Sequence, residues 1–334
     1  MKIGFTYDLK SDYRRSSSSP QDALAEFDHK VTIKRVVKAI ESAGHKVVAI
    51  GNVRNLLKKL PRLDVDIVFN LCEGAGDRNR ESEVPIILDI YGIPYVGSDG
   101  LSLGVTLDKV VAKKSFLADG VPTPKYFVVD HLNGAFHYHS MKFPFIVKPR
   151  HEGSSKGISD DSICLDEQAL RRQVKKITEV YRQSALVEEF IDGSEFTVLV
   201  IGNENPVALT PVQIGICGEL ELGRLIYTSR RVTNTDIRYI CPPVVSKSLD
   251  RRMREVACNA YRAVECRDFG RVDIRVDAAG KPYVLEINPL PSLSVEDVFP
   301  LIAEAEGMTY DGLIAKIIDI GLERNGIIKK RRKS

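Results

Sequence analysis

The sequence predicts an α/β protein of several domains that begins with an open parallel sheet. With 334 residues, the chain is long enough for two or three domains. Over roughly the first 100 residues, short apolar strands alternate with segments of helical spacing, the order typical of a parallel sheet covered by helices. Farther on, residues 271–288 alternate polar and apolar side chains in two runs, which predicts an antiparallel hairpin.

In the first part of the chain, four short apolar runs are predicted strands, at residues 2–7, 45–51, 66–71 and 93–97. Asp28 is expected to cap the first intervening helix, and Gly44 is expected to end it. Two more helices are predicted at residues 55–60 and 86–91. Ligands of such sheets bind at the carboxyl ends of the strands, which makes this edge a candidate site.

Beyond residue 98 the predicted elements are mixed. We expect a single helix at residues 106–117 that contains Lys109, and a strand at residues 143–149 that ends in Lys148. Spacing also predicts strands at residues 126–129, 185–191, 195–202 and 207–216 and helices at residues 166–181, 249–266 and 310–322.

The polar face of the hairpin is the candidate site with the clearest chemistry. A symmetric turn at residues 278–281 would place Asp273 opposite Glu286 and Arg271 opposite Asn288. Opposed carboxylates repel each other, and a hard cation removes the repulsion. Magnesium prefers oxygen ligands and fills its shell with water and substrate phosphates. Arg271 could then donate two parallel hydrogen bonds from its guanidinium to phosphoryl oxygens.

The predicted register of the hairpin also assigns its other residues to pairs and faces. It pairs Asp277 with Pro282, and it turns four apolar side chains to the opposite face: Val272, Ile274, Leu285 and Ile287. The pattern also fits a solvent-exposed hairpin whose acids pair with Arg271 and Arg275. The apolar run at residues 290–293 weighs against that alternative, because a solvent-facing element would continue with polar residues.

Composition excludes several classes of protein. Hydrophobic residues make up 43% and charged residues 28% of the chain, and the net charge of +3 is too small to indicate a nucleic-acid partner. No apolar run approaches the ~20 residues of a membrane span, and the N-terminus is not typical of a secretory signal. The six cysteines contain no CxxC pair, which favours a cytoplasmic protein with reduced thiols and argues against zinc.

Two further segments fit a nucleotide. The glycine- and serine-rich loop at residues 151–157 would let its backbone approach a phosphate. It is neither a P-loop nor a GxGxxG turn, and it also fits an ordinary flexible turn. Residues 186–191 form an apolar strand with two acids near its end, a pattern that fits either an adenine pocket or a sheet edge with solvated acids.

Taken in order, KPRHEGSSKG, VEEFIDGSEFTV and GRVDIRVD…YVLEINPLPSLS resemble the ATP-grasp superfamily, specifically the D-alanine–D-alanine ligases. The upstream IPYVGSDGLSLGVTLDK is similar to the segment that enters that family's central domain. The resemblance implies a three-domain ATP-grasp architecture in which ATP lies between two antiparallel sheets. The expected units are an N-terminal domain, a central domain, a catalytic domain and a basic tail, at residues 1–98, 99–188, 189–324 and 325–334.

The resemblance also implies ligands for ATP and metal. Asp273, Glu286 and Asn288 would bind two magnesium ions, for which manganese could substitute. The expected ATP contacts come from two lysines, the loop and the strand ends: Lys109, Lys148, Gly153, Ser154, Ser155, Gly157, Glu188, Glu189, Phe190, Ile191, Glu195 and Asn288.

Catalytic roles follow from the same resemblance. Arg271 would stabilise charge on the transferring phosphoryl group, Ser154 would join the polar network around the first substrate, and Glu26 would hold that substrate's amino group. The implied partners are small amino acids, D-alanine by default, in peptidoglycan precursor synthesis. No nucleic acid and no membrane are expected as partners, and a homodimer is the alternative to a monomer.

Several residues depart from the family pattern. Ser292 replaces a glycine whose amide helps to line the oxyanion hole, and Glu296 and Asp297 stand where a hydroxyl commonly receives the acceptor carboxylate. An aspartate there would repel a carboxylate and attract an amine. In place of a histidine- and glycine-rich motif of the first domain stand residues 70–74, Arg78, Arg80 and Glu81.

Three functions are therefore compared. The favoured one is an ATP-dependent carboxylate–amine ligase, with a related ligase that uses a different amine acceptor as its variant. The second is a phosphotransferase that stops at the acyl phosphate or acts on a hydroxyl. The third is a non-catalytic nucleotide-binding or interaction protein that would contact its partner through the basic tail. The full set of implied metal ligands and phosphate-binding cations argues against this third function.

Overall fold

The computed structural model describes residues 1–16, 19–76, 78–132, 135–138, 140–228, 230–231 and 236–329. Half of the predicted basic tail, residues 330–334, lies outside the described residues. The described strands form one parallel sheet and two antiparallel sheets, which confirms the predicted fold class. Within the described part of the chain, no helix has both the length and the apolar character needed to cross a membrane.

The N-terminal sheet is parallel, with the order β2-β1-β3-β4. Its strands are β1 Lys2–Tyr7, β2 Lys46–Gly51, β3 Ile67–Leu71 and β4 Tyr95–Val96. The intervening helices are α1 Lys30–Ser42, α2 Val53–Lys59 and α3 Glu83–Ile90. Asp28 is not the helix cap that we predicted, because α1 begins after His29 and the Asp28 backbone bonds instead to Asp8.

Two helices lead from this sheet into the central part of the chain, α4 Gly100–Leu107 and α5 Lys109–Ala118. The prediction of a single helix at residues 106–117 is wrong. The chain leaves helical geometry at Asp108, whose carboxylate accepts hydrogen bonds from the backbone N–H groups of Val110 and Val111 and caps α5. Asp108 thereby sets Lys109 at the first turn of a new helix.

The second sheet is antiparallel, with the order β5-β8-β6-β7. Its strands are β5 Tyr126–Val129, β6 Phe145–Pro149, β7 Ile163–Cys164 and β8 Ala185–Glu189. Helix α6, Glu167–Lys176, continues as a π-turn over Ile177–Tyr181 and covers one face of the sheet. The opposite face carries the side chain of Lys148 toward the third sheet.

The third sheet has six strands in the order β12-β11-β9-β13-β14, with β10 paired to β9. They are β9 Gly193–Ile201, β10 Val207–Ala208, β11 Val212–Ile216, β12 Ile237–Ile240, β13 Phe269–Asp277 and β14 Pro282–Asn288. The chain also forms α7 Lys247–Ala263, α8 Phe299–Ala305 and α9 Tyr310–Arg324. The single strand predicted at residues 207–216 is therefore two strands, and α8 was not predicted.

The β13–β14 hairpin confirms half of the predicted register. Arg271 pairs with Asn288 and Asp273 pairs with Glu286, as expected. The predicted symmetric turn is wrong, because Val276 rather than Asp277 pairs with Pro282. The mismatch of one residue is a β-bulge that leaves Leu285 without a partner and turns it toward the cavity, instead of the opposite face that we predicted.

Helix α9 returns to the N-terminal sheet and packs its buried residues against α1 and the strands. It passes β4 closely at Gly321, where an added Cβ would lie 2.7 Å from Val96 Cγ2. We expect Gly321→Ala to lower the free energy of unfolding by about 1–3 kcal/mol, because overpacking outweighs the better helix propensity of alanine. The matched control is Gly312→Ala on the same helix, where the nearest atom, Thr309 Oγ1, is 3.3 Å away. Urea unfolding that shows equal losses for both would contradict this expectation.

Candidate active site

A cavity of about 450 Å³ lies between the two antiparallel sheets and reaches the carboxyl end of β3. It brings together fifteen of the predicted site residues: Glu26, Lys109, Lys148, Gly153, Ser154, Ser155, Glu188, Glu189, Phe190, Ile191, Glu195, Arg271, Asp273, Glu286 and Asn288. Gly157 does not line the cavity. Residues that are more than 250 positions apart in the sequence thus share one site.

The hairpin places its two carboxylates side by side, each with its own compensating donors. Asp273 accepts hydrogen bonds from Thr197 Oγ1 at 2.6 Å, from Asn288 Nδ2 at 3.0 Å and from Arg271 Nε at 3.2 Å. Glu286 Oε2 lies 3.0 Å from Lys109 Nζ. Although burial opposes ionisation, Lys109 and Lys148 hold the pKa of Glu286 below its usual value. Glu286 is therefore ionised, in a setting that can exchange a cationic side chain for a metal ion.

The donor set of this cluster fits magnesium better than a soft metal, because it consists of two carboxylates and an amide oxygen. In the described residues, no group of three His, Cys, Asp or Glu side chains is close enough to hold a metal ion. A metal held here needs further oxygen ligands, and magnesium commonly takes these from water and substrate phosphates. The arrangement therefore fits a metal that arrives together with a nucleotide.

Glu188 lies at the centre of a second, deeply buried cluster. Its two carboxylate oxygens lie 2.7 Å from Lys113 Nζ and 2.7 Å from Lys148 Nζ. These lysines lower the pKa of Glu188 to about 2 despite its burial. Lys113 was not predicted as a site residue. Its spacing of four residues from Lys109 on one helix would have revealed that both lysines share a face.

The apolar end of the cavity is formed by Ile146, Phe190 and Ile226. Arg275 lies over the Phe190 ring, 4.7 Å from its centroid, and Arg275 Nε lies 3.3 Å from Glu195 Oε2. Such a surface, apolar with a carboxylate at its edge, suits a purine base and its ribose. Arg275 was not predicted as a site residue. The alternation that relates Arg271 to Asp273 also extends to Arg275, so this signal was present in the sequence.

The loop at residues 151–157 closes over the cavity and is bonded to the N-terminal domain. The N–H of Gly153 donates to Glu26 Oε1 at 2.7 Å, and a Cβ on Gly153 would lie 2.9 Å from that oxygen. Ser154 and Ser155 adopt left-handed backbone conformations, with φ of 48° and 56°. Gly157, the last residue of the loop, does not line the cavity, and its N–H donates to Asp22 Oδ2 at 2.7 Å. Position 153 needs glycine because the backbone lies so close to Glu26 that a Cβ would clash with its carboxylate.

The D-ala D-ala ligase C-terminus family matches residues 117–319 of this chain. The chain belongs to the D-alanine–D-alanine ligase family. Family membership makes it an ATP-dependent, ADP-forming ligase, with magnesium the usual metal of the family.

Relatives of this ligase-family chain cover nearly its whole length. It is 33% identical to the D-alanine–D-alanine ligase of Carboxydothermus hydrogenoformans over 97% of this chain and 99% of that protein. It is 35% identical to the uncharacterized protein y4sG of Sinorhizobium fredii over 88% of this chain and 89% of that protein. The fold is similar to that of the D-alanine–D-alanine ligase of Bacillus anthracis complexed with ATP, with a TM-score of 0.75, 23% identity and coverage of 98% of this chain and 99% of that one.

Of the residues that depart from the D-alanine–D-alanine ligase pattern, Ser292 and Asp297 line the cavity after the hairpin. Asp297 lines it, with Oδ2 3.6 Å from Arg271 NH1, whereas Glu296 is exposed and does not line it. Burial raises the pKa of Asp297, and Arg271 opposes that rise. The hydroxyls of Tyr227 and Tyr239, which sequence reasoning missed, lie 3.0 Å apart beside this pair. The cavity therefore has an acid, Asp297, where the family pattern implies a hydroxyl.

Proposed function

We propose that this chain joins the carboxylate of one small amino acid to the amine of a second in an ATP- and magnesium-dependent reaction. The observation that carries the proposal is the pairing of Asp273 with Glu286 in a cavity that also holds Lys109 and Lys148. A nucleotide, a metal and a carboxylate substrate can meet where these charges converge. The D-alanine–D-alanine ligases among the relatives support D-alanine as the default for both substrates.

In this proposal the hairpin holds the metal. Asp273 and Glu286 would supply carboxylate oxygens to two magnesium ions, and Asn288 would supply its amide oxygen. Manganese can substitute, because it takes similar oxygen ligands. The metal neutralises charge on the phosphates of ATP. Lys109, which contacts Glu286 at 3.0 Å, lies where its ammonium group could bind a phosphate of the nucleotide.

The remaining predicted residues surround the nucleotide. Lys148 binds a phosphate from the floor of the cavity, and the loop with Gly153, Ser154, Ser155 and Gly157 closes over it. The adenine pocket is formed at the end of β8 and the start of β9, with the ribose at Glu195. The residues assigned to the pocket are Glu188, Glu189, Phe190 and Ile191.

The chemistry follows the acyl-phosphate route. The donor carboxylate receives a phosphoryl group, which creates a leaving group, and the acceptor amine then attacks the carbonyl carbon while inorganic phosphate departs. Arg271 stabilises negative charge on the phosphoryl group and on the tetrahedral oxygen. Its guanidinium is oriented for this role by Asp273 on one side and Asp297 on the other.

A related ligase with a different acceptor is the second candidate. It is favoured by Asp297, which lines the cavity where a carboxylate-binding hydroxyl would be expected. A carboxylate there repels the carboxylate of an amino acid and attracts a second cationic group. An acceptor such as a diamine or a basic amino acid would satisfy this charge.

The test supplies the protein with ATP, magnesium and a panel of amino acids and amines, and it measures inorganic phosphate and new amides. We expect phosphate release that depends on both substrates, with one amide formed per phosphate. ADP without a new amide would support the phosphotransferase instead, and no turnover with any amino acid would contradict the ligase. The homodimer, the cytoplasmic location and the domain boundaries at residues 98 and 188 stay predictions.

A further inference from the structure

Arg275 lies on the cavity face of β13, where its guanidinium contacts three separate segments of the chain. Its NH1 donates to the backbone carbonyl of Ile191 at 3.2 Å, and its NH2 donates to the backbone carbonyl of Leu225 at 2.7 Å. Its Nε lies 3.3 Å from Glu195 Oε2. One side chain thereby joins the turn between β8 and β9, the strand β9 itself, and the segment that follows β11.

This guanidinium is buried at a cost that packing does not explain. Arg275 is 3% exposed, and burial lowers its pKa although Glu195 opposes that effect. Within the described residues its Nε has no hydrogen-bond acceptor, because Glu195 is close enough for an ion pair but is not aligned for a hydrogen bond. A buried ion pair often stabilises a protein no more than apolar residues of the same volume. The arrangement therefore indicates a role for Arg275 beyond stability.

The Leu225 contact of Arg275 fixes a segment that lines the cavity, residues 222–228, which we term the cover segment. Leu222 of this segment is buried against β11. Ile226 is buried against Ile146 and Phe190, at the apolar end of the cavity where the base of a nucleotide would bind. The carbonyl that Arg275 holds immediately precedes Ile226 in the chain. Arg275 therefore helps to fix how the cover segment enters the nucleotide pocket.

The next residue of the cover segment, Tyr227, contacts a different part of the cavity. Its hydroxyl lies 3.0 Å from the hydroxyl of Tyr239. Burial raises the pKa of Tyr227 to about 12, and the charge of nearby Asp297 contributes to that rise. Tyr227 thus lies beside Asp297, at the end of the cavity where the acceptor is expected. Two consecutive residues of the cover segment, Ile226 and Tyr227, connect the nucleotide pocket to the acceptor end.

We propose that Arg275 is a positioning residue that couples the nucleotide pocket to the acceptor end, because it holds Leu225 and thereby sets the position of Tyr227. The inference rests on the proposed ribose site at Glu195. Ribose hydroxyls that donate to Glu195 compete with Arg275 for that carboxylate, so the guanidinium depends more strongly on the carbonyls of Ile191 and Leu225. A bound nucleotide therefore tightens the cover segment before the acceptor amine arrives.

Limited digestion with trypsin tests this coupling without any turnover. Arg224 is exposed and directly precedes Leu225, so cleavage after Arg224 measures how firmly the cover segment is held. In the wild type, saturating ATP with magnesium should slow this cleavage roughly fivefold or more, the lower end of usual coupling between sites. Arg275→Lys should be cleaved roughly tenfold faster than the wild type, the effect of losing a hydrogen bond from a charged donor. ATP should no longer slow its cleavage, because one ammonium group that pairs with Glu195 cannot also bond to both carbonyls.

Two controls separate positioning from a general loss of structure. Cleavage after Arg62, an exposed residue of the N-terminal domain, should keep its wild-type rate in the same digests. Arg238→Met removes an exposed arginine of β12 that does not line the cavity, and it should match the wild type throughout. If Arg275→Lys is cleaved at the wild-type rate and ATP slows both proteins alike, the coupling is overturned. Equal acceleration after Arg62 and Arg224 would show a structural role only and would also overturn it.

Steady-state kinetics distinguish the failure of this proposal from the failure of the ligase function. With the amine that turns over fastest in the panel, Arg275→Lys should raise the KM for that amine roughly tenfold but change the KM for ATP less than about twofold. Arg275→Met keeps an apolar contact with Phe190 but leaves Glu195 without its cation, so it should raise both KM values. If the wild type turns over and Arg275→Lys keeps the wild-type KM for the amine, the coupling is wrong and the ligase stands. If the wild type turns over no amine, the ligase is wrong and the trypsin digests alone decide the coupling.

Discussion

Glu286→Gln should reduce the rate of ATP-dependent ligation by roughly 10²–10³-fold or more, the loss typical for removing one group that stabilises transition-state charge. Glutamine keeps the size of the side chain, but it provides only one neutral oxygen where a carboxylate would bind the metal. Lys109, 3.0 Å from Glu286, would also lose its partner and remain next to an amide. The measurement is kcat/KM for phosphate release at saturating ATP and magnesium.

Two variants control this prediction. Glu286→Asp keeps the charge and should retain more activity than Glu286→Gln, while Glu304→Gln removes an exposed charge on α8 and should match the wild type. Calorimetry of ATP binding provides a second measurement. In EDTA, ATP should bind the Gln variant about as well as the wild type, whereas magnesium should strengthen ATP binding only in the wild type. Full activity in Glu286→Gln, or an unchanged magnesium effect, would show that the metal lies elsewhere.

Glu188→Gln should produce the largest loss of stability, about 3–5 kcal/mol, the cost typical of removing one partner from a buried ion pair. Lys113 is fully buried and Lys148 is 8% exposed, and both ammonium groups depend on the two oxygens of Glu188. Without the carboxylate, the two ammonium groups remain next to each other in a largely buried setting with no opposite charge between them. Urea unfolding at pH 7 measures the loss.

The loss of stability in Glu188→Gln should depend on pH in a defined direction. The pKa of Glu188 is lowered to about 2, so its contribution to stability is complete above its usual pKa of 4.5 and is lost as the pH falls toward 2. The difference between wild type and variant should therefore be constant from pH 7 to about pH 5 and shrink below that. The control is Glu189→Gln, one residue farther on, whose carboxylate accepts a single bond from the Lys142 N–H at 3.2 Å. A loss of equal size in both variants would contradict the role of the buried cluster.

Several features of the fold could be predicted because their signals are local. The alternation at residues 271–288 predicted the hairpin and the pairing of Asp273 with Glu286, since side chains of a strand alternate between two faces. The apolar strands and helical segments of the first 100 or so residues predicted the parallel sheet. The order of three motifs indicated the ATP-grasp ligases, and the family match confirmed it.

The errors arose where one residue changes the path of the chain. The bulge at Leu285 reversed its predicted face, because the core keeps both Val284 and Ile287 on the buried side. Asp108 broke a helix that its neighbours favoured by offering its carboxylate as a cap. In both cases packing or capping outweighed the local pattern.

The chain's own pattern was enough to establish the family, the parallel and antiparallel sheets and the opposed carboxylates of the hairpin. Tertiary packing alone decided which charges neutralise each other: Arg80 with Glu26 across 54 positions and Lys148 with Glu188 across 40. The energy of an ion pair depends on its distance and on how far water is excluded, and neither is defined until the sheets pack together. For the same reason, only the folded chain shows that Glu26 is bonded to both Arg80 and Lys156.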